Sequence, residues 1–133
     1  MIESALFTLL STNQAITSQL GSRPAGDTGV YPVTIPEDPI LPAVSYRIIS
    51  STDTPTLDDP LGTTKARVQI ECWGETYGAA VQLRNVVTAA IAGYRGSLSG
   101  TAIKNILRVT TGDVFADVPR QFTAKVDFYI WHN

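Results

Sequence analysis

Residues that carry out chemistry are scarce in this chain. There is one histidine, one cysteine and one methionine among 133 residues. A single cysteine cannot close an internal disulfide, so a reducing, cytoplasmic site of synthesis is the default. A zinc centre needs three or four ligands, mostly Cys and His. Cys72 and His132 are the only residues of those types, which is too few. His132 is also penultimate, with no chain after it to hold the ring as a general base requires. Charge of one sign is missing as well. Ten Lys and Arg against twelve Asp and Glu leave a net charge of -2, so no global field draws the chain to nucleic acid or to an anionic membrane. No apolar run approaches the roughly 20 residues that span a bilayer. The stretch from Ile2 to Leu10 lacks a basic segment before it and makes a poor signal peptide.

What is present is architecture. At 133 residues the chain is most simply one domain, 1–133, able to bury one core without disulfides or metal. From Lys65 to Trp73 the residues alternate: Ala66, Val68, Ile70 and Cys72 on one parity, Lys65, Arg67, Gln69 and Glu71 on the other. That period belongs to a strand with one buried face. Cys72 is therefore expected in the core. Helical spacing follows at Ala79, Ala80, Leu83, Val86, Val87, Ala90 and Ile91, with Gly93 where a helix ends. Ile2, Ala5, Leu6, Leu9 and Leu10 predict an amphipathic helix, and Asn13 predicts the cap of a further turn or two that stops at Gly21. Residues 43–50 alternate as a strand. Residues 51–64 are polar and read as a long loop or hairpin arm. Tyr94 to Gly100 reads as a turn-rich link, and Ile103 to Thr111 as strand-like with mixed parity. A short strand is expected at 114–118. The longest strand closes the chain, with Phe122, Ala124, Val126, Phe128 and Ile130 on one face. The order predicts an α+β fold: a mostly antiparallel sheet with two helices packed on one face.

Several clusters have plain structural readings. Asp53, Asp58 and Asp59 lack the spacing of a calcium loop and read as a solvated acidic loop suited to a partner or to the lumen of an assembly. Pro36, Pro39 and Pro42 form an overlapping PxxP run that reads as a stiff spacer. The arginines are scattered, with no basic run interleaved with aromatics. One feature is not so plain. Trp73, Tyr129 and Trp131 fall on the parity that ought to be wet. Large aromatics there predict burial by another part of the chain or by a second subunit; a subunit contact needs a matching surface elsewhere, near Arg84 on the helix flank or in the loop arm. No catalytic, cofactor-binding or metal-binding residue is expected, and the chain does not read as an enzyme.

The ordered segments resemble a known family. Met1-Ile2-Glu3-Ser4-Ala5-Leu6-Phe7, Val30-Tyr31-Pro32 with Leu41 to Tyr46, Val68 to Trp73 with Tyr77 and Ala80, and Asp127-Phe128-Tyr129-Ile130-Trp131 resemble the tail-completion, or tail-terminator, proteins of long-tailed bacteriophages. The likeness runs over nearly the whole chain. A longer link at Gly21 to Gly29 and the Asp58-Asp59 loop depart from the pattern. The resemblance implies a structural virion protein of the tail, made in the host cytoplasm, without a membrane. It implies a homo-oligomeric ring, usually a hexamer, at the head-proximal end of the tail tube. Such a ring stops tube polymerisation and docks the head. Its partners would be the tail tube protein and the head–tail connector, with DNA only passing through the hole. The alternatives are a head–tail joining protein of the neck, or a small ligand-binding or enzymatic α+β domain, which would need a concave pocket with convergent polar groups.

Overall fold

The computed structural model describes residues 2–21, 26–35, 40–54, 63–111, 115–118 and 121–133. The chain opens with helix α1 (Ile2–Thr12), which buries Ile2, Ala5, Leu6, Leu9 and Leu10 along one stripe. Asn13 then leaves the helical region at φ -71° and ψ 119° and caps α2 (Gln14–Leu20). Its Oδ1 accepts from the backbone N–H of Ala15 at 3.0 Å and of Ile16 at 3.3 Å, satisfying donors that a helix start leaves open. Gly21, at φ +73°, ends the helix in a conformation that only glycine adopts freely.

Strands β1 (Val30–Pro32), β2 (Ala43–Thr54) and β3 (Thr63–Gly74) follow. Helix α3 (Tyr77–Ile91) is capped by Thr76, whose Oγ1 accepts from Ala79 N–H at 3.1 Å. Then come β4 (Gly96–Leu98), β5 (Thr101–Thr111), β6 (Phe115–Val118) and β7 (Gln121–His132). The sheet runs β1-β2-β3-β7-β5-β4, with β6 also paired to β7. Every pair is antiparallel except β1 with β2, which is parallel.

The α+β class and the mostly antiparallel sheet agree with the sequence. The expected helix count does not: among the described residues there are three helices, because the Asn13 cap makes the second short segment a helix of its own. All three cover one face. Buried residues from α1, α2 and α3 join Val44, Tyr46, Ala66, Val68, Ile70, Cys72, Ala124, Val126, Phe128 and Ile130 in one hydrophobic cluster. Cys72 is fully buried, as its parity requires.

Two boundaries differ from expectation. The polar stretch after Ser50 stays in the sheet: β2 runs to Thr54 opposite Thr63, a ladder that hydrophobic alternation could not announce because the residues are polar. Residues 55–62, with Asp58 and Asp59, lie outside the described residues, as do the side chain of Asp53 and the prolines 36 and 39. The turn-rich link contains β4, an edge strand too short to alternate. The mixed parity of β5 has a cause as well. Its register with β7 shifts between Ile103 and Asn105 and again between Arg108 and Thr110, and each extra residue exchanges the faces.

Candidate interaction surface

The face of the sheet opposite the helices carries Trp73, Tyr129 and Trp131 beside a network of charged and polar side chains. Asp127, only 8% exposed, stands on β7 opposite Gln69 of β3. Its Oδ2 accepts from Arg67 Nη2 at 2.8 Å and Nε at 3.3 Å, and its Oδ1 accepts from Gln69 Nε2 at 3.3 Å. Gln69 Oε1 in turn accepts from Arg47 of β2 at 2.9 and 3.2 Å. Hydrogen bonding to Asp127 raises the guanidinium pKa of Arg67, so its charge is fixed. Lys125 pairs loosely with Glu71 at 3.9 Å. This network crosses three strands whose residues are about 20 to 60 apart in sequence, which is why no linear motif announced it.

The aromatics do not form one patch. Trp73 pairs with Thr123 at one end of β3, while Trp131 pairs with Lys65 eight residues away. At about 3.3 Å per residue the two indoles are roughly 26 Å apart along the strand. Trp73 is half-buried, and its Nε1 donates to Ser45 Oγ at 3.0 Å. Tyr129 and Trp131 meet edge to face, with centroids 5.9 Å apart. Lys65 Nζ sits over the Tyr129 ring at 3.9 Å and 5.7 Å from the Trp131 ring. Leu107 lies opposite Tyr129 on β5 and is 53% exposed. Arg84 is on α3, half-buried on the other side of the sheet, where its charge acts on Cys72.

Two clefts open among the described residues. A cleft of about 500 Å³ between α1 and the sheet is lined by Glu3, Ser4, Phe7, Thr8, Pro32 and Tyr46. Burial, with the Glu3 carboxylate second, raises the Tyr46 pKa and keeps its phenol neutral. A second cleft of about 310 Å³, on the helix-free face, is lined by Ser50, Thr52, Lys65, Arg67 and Tyr129. His132 departs from expectation. Its ring is buried to 7% exposure by the strands on either side of it, although the chain ends one residue later. Nδ1 lies 2.8 Å from Asn133 O, and Nε2 is buried without a hydrogen-bond partner. Among the described residues no group of three His, Cys, Asp or Glu could hold a metal ion.

The outer edges of the sheet are the remaining feature. On β2, β1 covers only Val44 to Tyr46. On β5, β4 covers Thr101 to Ile103, and Gly93 N–H donates to Ile106 O at 2.8 Å. Among the described residues no strand pairs with the outer edge of 47–54 or of 107–111. Ile49 is 45% exposed on the first edge, with Leu107 and Val109 at 53% and 36% on the second.

A family model described as tail completion protein gp17 matches residues 4–133. The chain belongs to that family. It is thereby a structural protein of the bacteriophage virion tail. A solved chain from the virion of a native gene transfer agent particle is similar in fold, with a TM-score of 0.71 at 12% identity, over 98% of this chain and 93% of that one. Nothing matches among curated proteins. Among the described residues no helix is long and apolar enough to cross a membrane.

Proposed function

We propose that the protein closes into a homo-oligomeric ring, a hexamer by family resemblance, at the head-proximal end of the tail tube. The ring ends tube growth and presents a docking surface to the head–tail connector. Its work is binding rather than turnover. The observation that carries the reading is the pair of edges, residues 47–54 and 107–111, at opposite sides of one sheet, beside which no strand stands among the described residues. Unpaired N–H and C=O groups along such edges are templates for another strand. Two different edges on one subunit make a heterologous contact, the kind that can close a ring. Ile49 of one copy meets Leu107 and Val109 of the next in this arrangement. Tyr129 and Trp131 form an apolar shoulder one strand inward. The helices occupy one face, so the helix-free face turns toward the hole. Trp73, at the far end of β3, and Arg84, on α3 across the sheet, lie away from the strand contact. They are left for the tube or the connector, as is the connection carrying Asp58 and Asp59.

Two edge variants test the arrangement. Ile49→Asp and Leu107→Asp each block one edge and leave the other intact. Each alone is expected as a folded monomer that fails to complete tails. An equimolar mixture is expected to give a heterodimer and nothing larger by native mass measurement. Higher oligomers in the mixture would overturn the edge contact. Wild-type protein that binds the neck connector but not purified tube ends would identify it as a joining protein instead.

A further inference from the structure

The sequence holds no basic run interleaved with aromatics, but the sheet builds one across strands. Lys65 of β3 stands opposite Trp131 of β7, and Arg67 stands opposite Tyr129. Ser50 and Thr52 of β2 face the same pair of cations, opposite Arg67 and Lys65 respectively. Together they line the 310 Å³ cleft on the helix-free face. Among the described residues its polar lining consists of an ammonium, a guanidinium and three hydroxyls, with no carboxylate. Asp127 engages Arg67 through Nε and Nη2, leaving Nη1 outside that pair. Lys65 makes no ion pair with any described residue. Its ammonium rests on the Tyr129 ring, which holds it in place without neutralising it. Over the whole helix-free face of β2, β3 and β7, the described residues carry four cations (Arg47, Lys65, Arg67 and Lys125) against two carboxylates, Glu71 and Asp127. The chain as a whole carries -2, so the excess of positive charge is local to this face.

We propose that the cleft formed by Ser50, Thr52, Lys65, Arg67 and Tyr129 binds a phosphate of a nucleic-acid backbone. Positioned cations with hydroxyl donors suit a phosphodiester, which offers unprotonated oxygens and a full negative charge. The contact is to phosphate rather than to a base, because Lys65 already covers the Tyr129 ring at 3.9 Å and leaves that face unavailable for stacking. Binding is therefore sequence-neutral and salt-dependent. The choice of nucleic acid over an acidic protein segment rests on the ring reading. With the helix-free face inward, every subunit offers the same cleft to the hole, and a regularly charged polymer threading it meets all of them in turn. Each site alone is weak, and the ring multiplies it through effective concentration.

Fluorescence anisotropy with a labelled duplex DNA of arbitrary sequence tests this on the full chain between 50 and 200 mM salt. Lys65→Glu is expected to weaken binding at least tenfold at the low-salt end. It should also flatten the log–log salt slope by about 0.9 for each subunit that engages the duplex, the increment that one neutralised phosphate contributes. Lys65→Arg is expected to keep most of the affinity. Arg95→Glu makes the same charge change at an exposed position outside the cleft and should change affinity less than threefold. Equal losses in Lys65→Glu and Arg95→Glu would overturn the site, since net charge alone would then explain the binding. Competition by polyglutamate as strong as that by unlabelled DNA, at equal charge, would also overturn it and assign the cleft to an acidic protein partner. Circular dichroism confirms folding of each variant. The anisotropy reading does not require assembly, so a failed ring with an intact Lys65 effect leaves the cleft standing, and an intact ring with no Lys65 effect removes it.

Discussion

Raising the pH from 7.5 to 10 should destabilise the wild-type protein by more than it destabilises a Cys72→Ala variant. Cys72 is fully buried between β3 and α3, beside Ala124 of β7. Burial pushes its thiol from the ordinary 9.0 up to about 12, with the Arg84 charge opposing and the Glu71 charge adding slightly. The folded pKa is raised, so the stabilisation is fully present below the unfolded value of 9.0. It is lost as pH climbs toward 12, because the unfolded chain releases the proton first. At pH 10 the unfolded thiol is one unit past its midpoint while the buried thiol is still protonated. That asymmetry is worth about 1.4 kcal/mol, and close to nothing at pH 7.5. The alanine variant carries a cavity cost, but that cost is independent of pH. Urea unfolding of both proteins at the two pH values, followed by tryptophan fluorescence, gives the difference directly. Every other ionisable group is common to the two proteins, so its contribution cancels in the comparison. A difference between the two proteins that stays constant from pH 7.5 to 10 would refute the placement of the thiol. Rapid reaction of the native wild type with a bulky thiol reagent at pH 8 would refute it independently.

Gly74→Ala should cost about 1–3 kcal/mol in urea unfolding, because an added Cβ would stand 2.7 Å from Ala80 N and 3.0 Å from Ala79 Cβ, so the backbone where β3 turns into α3 would have to move. An unchanged urea midpoint would show that this junction has slack. Asn13→Ala should cost about 1 kcal/mol through loss of the α2 cap, whereas Asn13→Ser, which keeps an acceptor, should recover most of it; equal losses in both would show that the side-chain oxygen is not what holds the helix start.

The sequence by itself determined which residues are buried wherever a regular period met a buried surface. Ala66, Val68, Ile70 and Cys72 on β3, and Ala124, Val126, Phe128 and Ile130 on β7, are all fully buried, because a one-residue slip would have put Arg67 or Asp127 in the core instead. The helix of Ala80, Leu83, Val87 and Ile91 and the Asn13 cap were legible for the same local reasons. Strand extent was not legible where side chains are polar, as in residues 51–54, or where bulges exchange the faces, as in β5. Only the tertiary structure decided the candidate surface. Lys65 meets Trp131, and Arg67 meets Asp127 and Tyr129, through a β3–β7 pairing between segments some 60 residues apart. It also separated Trp73 from Trp131, which the sequence had grouped by parity, because parity gives the face of a strand but not the position along it. The open edges of β2 and β5 were hidden in the same way: which strand stands beside which is fixed by packing across the whole sheet, and no local window of residues contains that information.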